Sequence, residues 1–394
     1  MAFFDVPAAP SLAVMAWPTR VLLGAGALAR LGEEVRALGV LRPLVVTDRG
    51  VVATGIAGRV EAALRDAGLR PARHDGVRAN PTDRDAAEGL AAYRAGECDG
   101  IVAVGGGSAI DGAKLVAVLV NHPPPLSRYD DAAGGDRFVT GEVPPLVAVP
   151  TTAGTGSEVG RSAVATLPDT GRKTVIFSPR LMPRVAICDP ALTLGLPPAL
   201  TAWTGMDALT HAVEAYVATG FHPLADAVAF DAIRRVARAL PVAVRDGADL
   251  AARTDMMVAA MEGAMAFQKG LGASHALAHA LTPLCGVHHG LANAIVLAPV
   301  CAFNAPAAAP RLARVAVALG EPDGPDDAAL ARRAADRVAA LAREVGIPRG
   351  LRDAGVREED LPAVAAKALE DASHRTNPRP CAEADLLALA RAAW

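Results

Sequence analysis

The chain changes character near residue 195, and that change limits the folds open to it more than any other feature. In the first half, short β-branched runs alternate with segments of helical period, as where Leu44–Thr47 is followed by Gly55–Ala67. This alternation is typical of βαβ units around a parallel sheet. In the second half almost every segment has helical period, Pro223–Leu240 among them. The sequence therefore predicts an α/β domain over residues 1–195 and an all-α domain over residues 196–394.

Composition excludes several classes of protein. The 394 residues carry 39 Lys and Arg against 42 Asp and Glu, a net charge of -3, so the chain lacks the basic field that binds nucleic acid. Five cysteines without a C-x-x-C pair indicate reduced thiols. No basic segment precedes an apolar one at the N-terminus, and the uncharged stretch 270–310 contains four histidines and three internal prolines. We expect a cytoplasmic protein that binds neither nucleic acid nor a membrane.

A buried strand, a glycine turn and a helix follow one another over Gly100–Lys114. Glycines let backbone N–H groups approach a ligand, and a helix N-terminus attracts anions, so this turn predicts a pyrophosphate site. A second glycine turn, Gly24–Ala29, fits G-x-G-x-x-A, and Asp48 lies 22 residues after Gly26. With either turn, Asp48 can accept hydrogen bonds from a ribose and repel a 2′-phosphate, which favours NAD over NADP. A bare turn and a helix-capping Asp48 are the alternatives.

A hydroxyl-rich segment follows the next predicted strand, Leu146–Val149. It contains Thr151, Thr152 and Thr155. Ligands of open α/β sheets bind at the carboxyl ends of the strands, so these threonines are candidate cofactor contacts. A solvated loop would have the same composition.

The helical half contains a group of metal-ligating residue types. Asp207 and His211 are four residues apart, as are His275 and His279, so each pair shares a helix face. His289 lies ten residues beyond His279. One carboxylate and several imidazoles suit a divalent cation, and both Fe²⁺ and Zn²⁺ accept such ligands.

Four motifs together resemble the iron-containing (group III) alcohol dehydrogenases. They are Gly105-Gly-Gly-Ser-x-x-Asp111, Pro150-Thr-Thr-Ala-Gly-Thr-Gly-Ser-Glu-Val159, Gly205-x-Asp207-x-x-x-His211 with Glu214, and His275-x3-His279-x9-His289-Gly290 with Asn293. The resemblance implies a Rossmann-like N-terminal domain and a helical C-terminal domain, the fold shared with dehydroquinate synthase. It implies a homodimer that interconverts a small primary alcohol or hydroxy acid and its aldehyde with NAD and Fe²⁺ or Zn²⁺.

The resemblance also assigns residues. The implied metal ligands are Asp207, His211, His275 and His289, with His288 only a neighbour. The implied cofactor-binding residues are Asp48, Gly105, Gly106, Gly107, Ser108, Asp111, Thr151, Thr152 and Thr155. His279, of a residue type that titrates near neutrality and not needed as a ligand, is our candidate catalytic residue for relaying the alcohol proton.

Three other functions are compatible with parts of this pattern. A metal-free maleylacetate reductase would lack the full ligand set, a lyase like dehydroquinate synthase would recycle its NAD, and a binding protein would show no turnover. The substrate is not defined by the sequence. Lys269, Arg161, His374 and Arg375 could bind a carboxylate, or they could be surface charges.

Overall fold

The computed structural model describes residues 17, 19–167 and 172–394. The strands are β1 Arg20–Leu23, β2 Pro43–Val46, β3 Ala72–His74, β4 Gly100–Gly105, β5 Leu146–Pro150, β6 Ser162–Leu167, β7 Arg172–Phe177 and β8 Val185–Cys188. Within these described residues, six strands form a parallel sheet in the order β1-β8-β5-β4-β2-β3, and β6 and β7 form an antiparallel hairpin.

The middle of the parallel sheet is buried on both faces. Every residue of β2, β4 and β5 is buried, as expected for β-branched runs between two layers of helix. The helices of this part of the chain are α1 Leu31–Ala37, α2 Arg49–Ala53, α3 Ile56–Asp66, α4 Asp83–Ala95 and α5 Gly107–Asn121. Because β4 and β5 are neighbours, with Gly105 opposite Pro150, the two segments that follow them start side by side.

After residue 195 the regular structure is helical. The helices are α6 Pro198–Val217, α7 Pro223–Arg245, α8 Leu250–Ala266, α9 Ala273–Cys285, α10 His289–Asn304, α11 Ala309–Ala318, α12 Asp327–Glu344, α13 Leu361–Glu370 and α14 Glu383–Ala392. An α/β part followed by an all-α part confirms the predicted fold class. Among the described residues, no helix is long and apolar enough to cross a membrane.

Contacts divide the described chain into two compact units. The α/β unit comprises Trp17–Thr152 and Gly156–Gly195, and the helical unit contains Leu196–Trp394 together with Ala153–Thr155. The predicted domain bounds, 1–195 and 196–394, stay a prediction.

A buried ion cluster links four segments of the helical unit. Lys269 Nζ donates to Asp226 Oδ1 at 2.5 Å and to the Tyr216 carbonyl at 2.8 Å. Arg311 Nη1 donates to the same carbonyl at 2.7 Å and lies 3.1 Å from Asp226 Oδ1. Burial lowers the pKa of Lys269 to about 8, against the opposing effect of Asp226. One carboxylate therefore neutralises two cations and joins the start of α7 to the end of α6.

Replacing Asp226 by Asn should lower the free energy of unfolding by about 3–5 kcal/mol, because it leaves buried cations without their counterion. Urea unfolding followed by circular dichroism measures the change. Asp231→Asn on the same helix is the matched control: Asp231 bonds Arg235 at 2.7 Å and its side chain is 39% exposed. Its loss should stay below about 1 kcal/mol. Equal losses in the two variants would contradict the role given to the cluster.

Candidate active site

Three potential ligand atoms converge in the helical unit, one each from Asp207, His275 and His289. They come from α6, α9 and the first residue of α10, and all lie within 4.8 Å of one another. His289 Nε2 is 3.5 Å from Asp207 Oδ1. Asp207 and His275 are buried and His289 is partly exposed. A carboxylate and two imidazoles at this spacing can bind one divalent cation.

The amide of Asn293 shows where the three acceptors point. Its Nδ2 donates to Asp207 Oδ1 at 2.8 Å and lies 3.3 Å from Nε2 of both His275 and His289. Asn293 is fully buried, and its Oδ1 has no hydrogen-bond partner among the described residues. The lone pairs of three side chains are thus directed at one buried point. This donor set fits the metal that the sequence predicts.

Glu214 fixes the orientation of His275. Its carboxylate, buried on α6, accepts from the backbone N–H groups of Gly272, Ser274 and His275 at 3.1, 2.6 and 3.3 Å. It also lies 2.6 Å from His275 Nδ1. A proton on Nδ1 leaves the lone pair of Nε2 facing the cluster, the usual arrangement for a metal-ligating histidine. The same carboxylate satisfies the first N–H groups of α9, which otherwise lack partners.

Two glycines allow the elements that bear these side chains to approach closely. A Cβ on Gly290 would lie 2.4 Å from the Trp203 carbonyl oxygen and 3.3 Å from Asp207 Cβ. A Cβ on Gly272 would lie 2.7 Å from Glu214 Oε1. Larger residues at these positions would force α10 away from Asp207, or the start of α9 away from Glu214.

His211 lies beside the trio and outside it. Its ring stacks on His275 with centroids 4.5 Å apart, and its Nδ1 has no hydrogen-bond partner in the described part of the chain. Burial lowers the pKa of His211 to about 4, against the opposing effect of Asp207. A neutral imidazole is the form that binds a cation. His211 as a fourth ligand stays a prediction.

His279 has a different partner from the candidate ligands. Its Nδ1 lies 2.8 Å from Asp371 Oδ2, and its ring stacks on His289 with centroids 5.2 Å apart. Burial acts to raise the pKa of Asp371, but His279 and Ser373 outweigh it and hold that pKa below its usual range. An ionised Asp371 orients the imidazole and leaves Nε2 for exchange with a ligand. His288 accepts from Gly290 N at 3.2 Å as the cap of α10, a neighbour of the ligands as expected.

The glycine turn after β4 has the form of an anion cradle. Gly105 adopts φ 145°, and no side chain of the described residues caps the α5 N-terminus at Gly106. A Cβ on Gly106 would lie 3.2 Å from Thr152 Oγ1, and one on Gly105 would lie 3.3 Å from Asp48 Oδ2. The turn, the threonine and the aspartate predicted to bind the cofactor are therefore neighbours. Asp48 also caps α2 through Val51 N at 2.9 Å, the alternative role considered for it.

The rival glycine turn is occupied by the protein itself. Gly26 N and Leu28 N donate to Asp189 Oδ2 at 3.1 and 3.2 Å. The turn follows β1, which lies at an edge of the sheet, and continues into a short 3-10 helix. A carboxylate already takes the N–H groups that a phosphate would need, which favours the turn at Gly105.

The other predicted cofactor residues have mixed surroundings. Thr151 N donates to the Gly105 carbonyl at 3.0 Å, and Ser108 Oγ donates to the Ala79 carbonyl. Thr155 groups with the helical unit. Both carboxylate oxygens of Asp111 accept hydrogen bonds from inside the α/β unit: Oδ1 from Ser157 Oγ at 2.6 Å and Oδ2 from Val164 N at 3.1 Å. A direct contact of Asp111 with cofactor stays a prediction, and these bonds indicate a role inside the protein.

The candidate carboxylate-binding cations differ in availability. Lys269 is already paired with Asp226 in the buried ion cluster. His374 lies 3.0 Å from the Leu369 carbonyl and Arg375 is exposed. The Arg161 guanidinium stacks over Phe177 at 4.8 Å, and no acidic partner for it is found in residues 17, 19–167 and 172–394. Burial lowers the pKa of Arg161.

Comparison with known proteins identifies the family. Residues 18–190 match the model described as iron-containing alcohol dehydrogenase, and residues 201–394 match the Fe-containing alcohol dehydrogenase family, C-terminal. The chain belongs to the iron-containing alcohol dehydrogenase family. It is therefore an oxidoreductase that interconverts alcohols and aldehydes, and a lyase or a binding protein without turnover is set aside.

Members of the iron-containing alcohol dehydrogenase family match over nearly the whole chain. A 4-hydroxybutyrate dehydrogenase from Cupriavidus necator is 45% identical, covering 95% of this chain and 98% of its own. A solved 1,3-propanediol oxidoreductase is 41% identical with a TM-score of 0.93, covering 97% of this chain and all of its own. A sulfoacetaldehyde reductase from Bifidobacterium kashiwanohense, solved with NAD+, is 29% identical with a TM-score of 0.86, covering 97% and 99%.

Replacing Glu214 by Gln should weaken metal binding by about 10–100-fold, because an amide cannot accept from all of these donors and hold the His275 tautomer. Competition with a chelator, followed by elemental analysis, measures this affinity without reference to activity. Asp371→Asn is the matched control, since it alters the carboxylate beside a histidine that is not a predicted ligand. Equal metal loss in both variants, or none in Glu214→Gln, would contradict the assignment.

Proposed function

We propose that the protein is a metal-dependent, NAD-linked dehydrogenase of a small primary alcohol or hydroxy acid, which reduces the corresponding aldehyde in reverse. The convergence of Asp207, His275 and His289 on one buried point is the observation that carries this proposal. It also distinguishes the protein from a metal-free maleylacetate reductase, for which such a ligand set has no use.

The metal is assigned to Asp207, His211, His275 and His289, with Fe²⁺ or Zn²⁺ as the cation. Three imidazoles and one carboxylate suit both ions, so the donor set does not choose between them. Glu214 orients the ring of His275, and burial favours the neutral form of His211, the form that a cation needs.

The cofactor is assigned to the α/β unit. Gly105, Gly106, Gly107 and Ser108 provide backbone N–H groups at the start of α5 for a pyrophosphate. Asp48, beside Gly105, accepts from a ribose and disfavours a 2′-phosphate, so NAD is preferred over NADP. Bound together, a cation would polarise the substrate oxygen as a Lewis acid and a nicotinamide would exchange hydride with the adjacent carbon.

His279 is assigned the role of accepting the proton of the alcohol. Asp371 holds its Nδ1 at 2.8 Å, so the ring is fixed and Nε2 is the nitrogen that can accept or return a proton. This carboxylate–imidazole pair moves a proton without using any of the metal ligands. A homodimer, as the resemblance implies, is part of the proposal.

The proposed substrate class rests on the compounds named for similar proteins and on one cation, Arg161. 4-Hydroxybutyrate, 1,3-propanediol and sulfoacetaldehyde, named for the similar proteins, are short chains with a polar group at the end opposite the reacting carbon. Arg161 lies immediately before β6, and it lacks an acidic partner among the described residues. This favours an ω-hydroxy acid, with a diol as the second candidate.

Purified protein loaded with Fe²⁺ or Zn²⁺ should reduce NAD faster than NADP in the presence of a short ω-hydroxy acid. Absorbance at the NADH band, over a panel of alcohols, diols and hydroxy acids of matched length, measures it. Arg161→Met should raise KM for the hydroxy acid and leave KM for the matched diol unchanged. No NADH formation with any member, with metal present, would refute the proposed function.

Replacing His279 by Ala should lower kcat by about 10²–10⁴-fold while metal content stays unchanged, because the proton loses its acceptor. Added imidazole should restore part of the rate in His279→Ala, where the ring's space is open. It should not restore the rate in His279→Phe, where that space is filled. Wild-type turnover in His279→Ala would show that the proton leaves by another route.

A further inference from the structure

Lys114 is a fully buried lysine that the proposed chemistry does not use. It lies two turns into α5 and is 0% exposed. Its Nζ lies within donating distance of four oxygens: the Ser157 carbonyl at 2.7 Å, Ser157 Oγ at 2.8 Å, the Gly160 carbonyl at 2.9 Å and the Ser162 carbonyl at 2.8 Å. A buried ammonium is retained only where such partners replace water. All four belong to one short segment of the chain.

Asp111, one turn earlier on the same helix, completes the network. It accepts from Ser157 Oγ at 2.6 Å and from Val164 N at 3.1 Å. Ser157 Oγ therefore donates to Asp111 and accepts from Lys114. Asp111 and Glu158 both interact electrostatically with Lys114, so its charge is balanced inside the unit. Helix α5 thus holds residues 157–164 through hydrogen bonds from Lys114 and to Asp111.

The network joins the two segments assigned to the dinucleotide. Helix α5 begins at the glycine turn, and residues 157–164 continue the chain beyond Thr151 and Thr152. At their other ends the same two segments are joined by sheet pairing, with Thr151 N donating to the Gly105 carbonyl at 3.0 Å. Lys114 is the second attachment, on the far side of the loop.

We propose that Lys114 is a positioning residue for the dinucleotide, holding residues 157–162 against helix α5 so that the glycine turn and the threonine segment keep their binding conformation before cofactor arrives. The inference rests on the proposed NAD site. It identifies Asp111 as part of this clamp, which explains its place in the glycine motif without a contact to the cofactor.

The chemistry of the lysine side chain suits this position. Its ammonium has three N–H donors on a narrow apolar stem, so it can reach several carbonyls at once from within a helix. An apolar side chain of similar length would fill the space and leave those carbonyls without partners. The segment would then be free to leave its position, and binding would have to restore the lost order.

The test compares two buried lysines. Lys114→Met should weaken NADH binding, measured by fluorescence titration, by at least about tenfold, with kcat at saturating NAD within about threefold of wild type. Backbone amides of residues 157–162 should exchange hydrogen faster in the cofactor-free protein. Lys269→Met is the matched control: it removes an equally buried ammonium from the helical unit and should leave both the NADH Kd and that exchange unchanged. Metal content should be unchanged in Lys114→Met.

Ser157→Ala is the second variant in case Lys114→Met does not fold. It removes only the hydroxyl shared by Asp111 and Lys114 and keeps the backbone acceptors, so a smaller rise in the NADH Kd is expected. A wild-type NADH Kd in these variants, with only a lower melting temperature, would make the network merely structural and overturn the clamp alone. Failure of the wild-type protein to bind NADH or NADPH would overturn the proposed function and the clamp together.

Discussion

The candidate metal site depends on the hydrogen bonds of the buried Glu214 carboxylate. This carboxylate accepts from the N-terminus of α9 and lies 2.6 Å from His275 Nδ1, so one group caps the start of a helix and orients a candidate ligand. Because the first N–H groups of a helix carry partial positive charge, they stabilise the carboxylate that orients the histidine. The backbone of α9 and the chemistry of its first turn are therefore coupled through one side chain.

Each unit also contains a buried charged group with several hydrogen-bonding partners. In the α/β unit, the ammonium of Lys114 donates hydrogen bonds to the carbonyls of Ser157 and Gly160. In the helical unit, Asp226 gathers two cations where α6 ends and α7 begins. Each buried charge has several partners, which is the condition under which such groups are tolerated in an apolar interior. Each joins segments that hydrophobic packing alone would leave with more freedom.

Sequence patterns predicted the fold class because it depends on local spacing. The family resemblance implied the ligands Asp207, His211, His275 and His289, and the structure brings Asp207, His275 and His289 together. The predicted helix Pro223–Leu240 was too short, because α7 continues through Pro241 to Arg245 with Ala243 buried. Tertiary packing here outweighs the local preference of proline.

The hydrogen-bond partners of the predicted site residues were harder to predict from the sequence. Asp371 lies 92 positions from His279, and no periodicity relates them. Asn293 had a usable signal, because it stands four residues after His289 on one helix. Contact of Asp111 with the cofactor stays a prediction, and the glycine motif gave no sign that Asp111 accepts hydrogen bonds from Ser157 and Val164. A motif identifies residues that a site needs. It does not distinguish a residue that contacts the ligand from one that positions another residue.

The interior use of lysine has a practical consequence. The chain has four lysines, and Lys114 and Lys269 are both buried. Arginine therefore supplies nearly all of the positive surface. Among side chains, amine-directed coupling of the folded enzyme to a support or a dye would be restricted to Lys173 and Lys367, so attachment would be confined to two defined points.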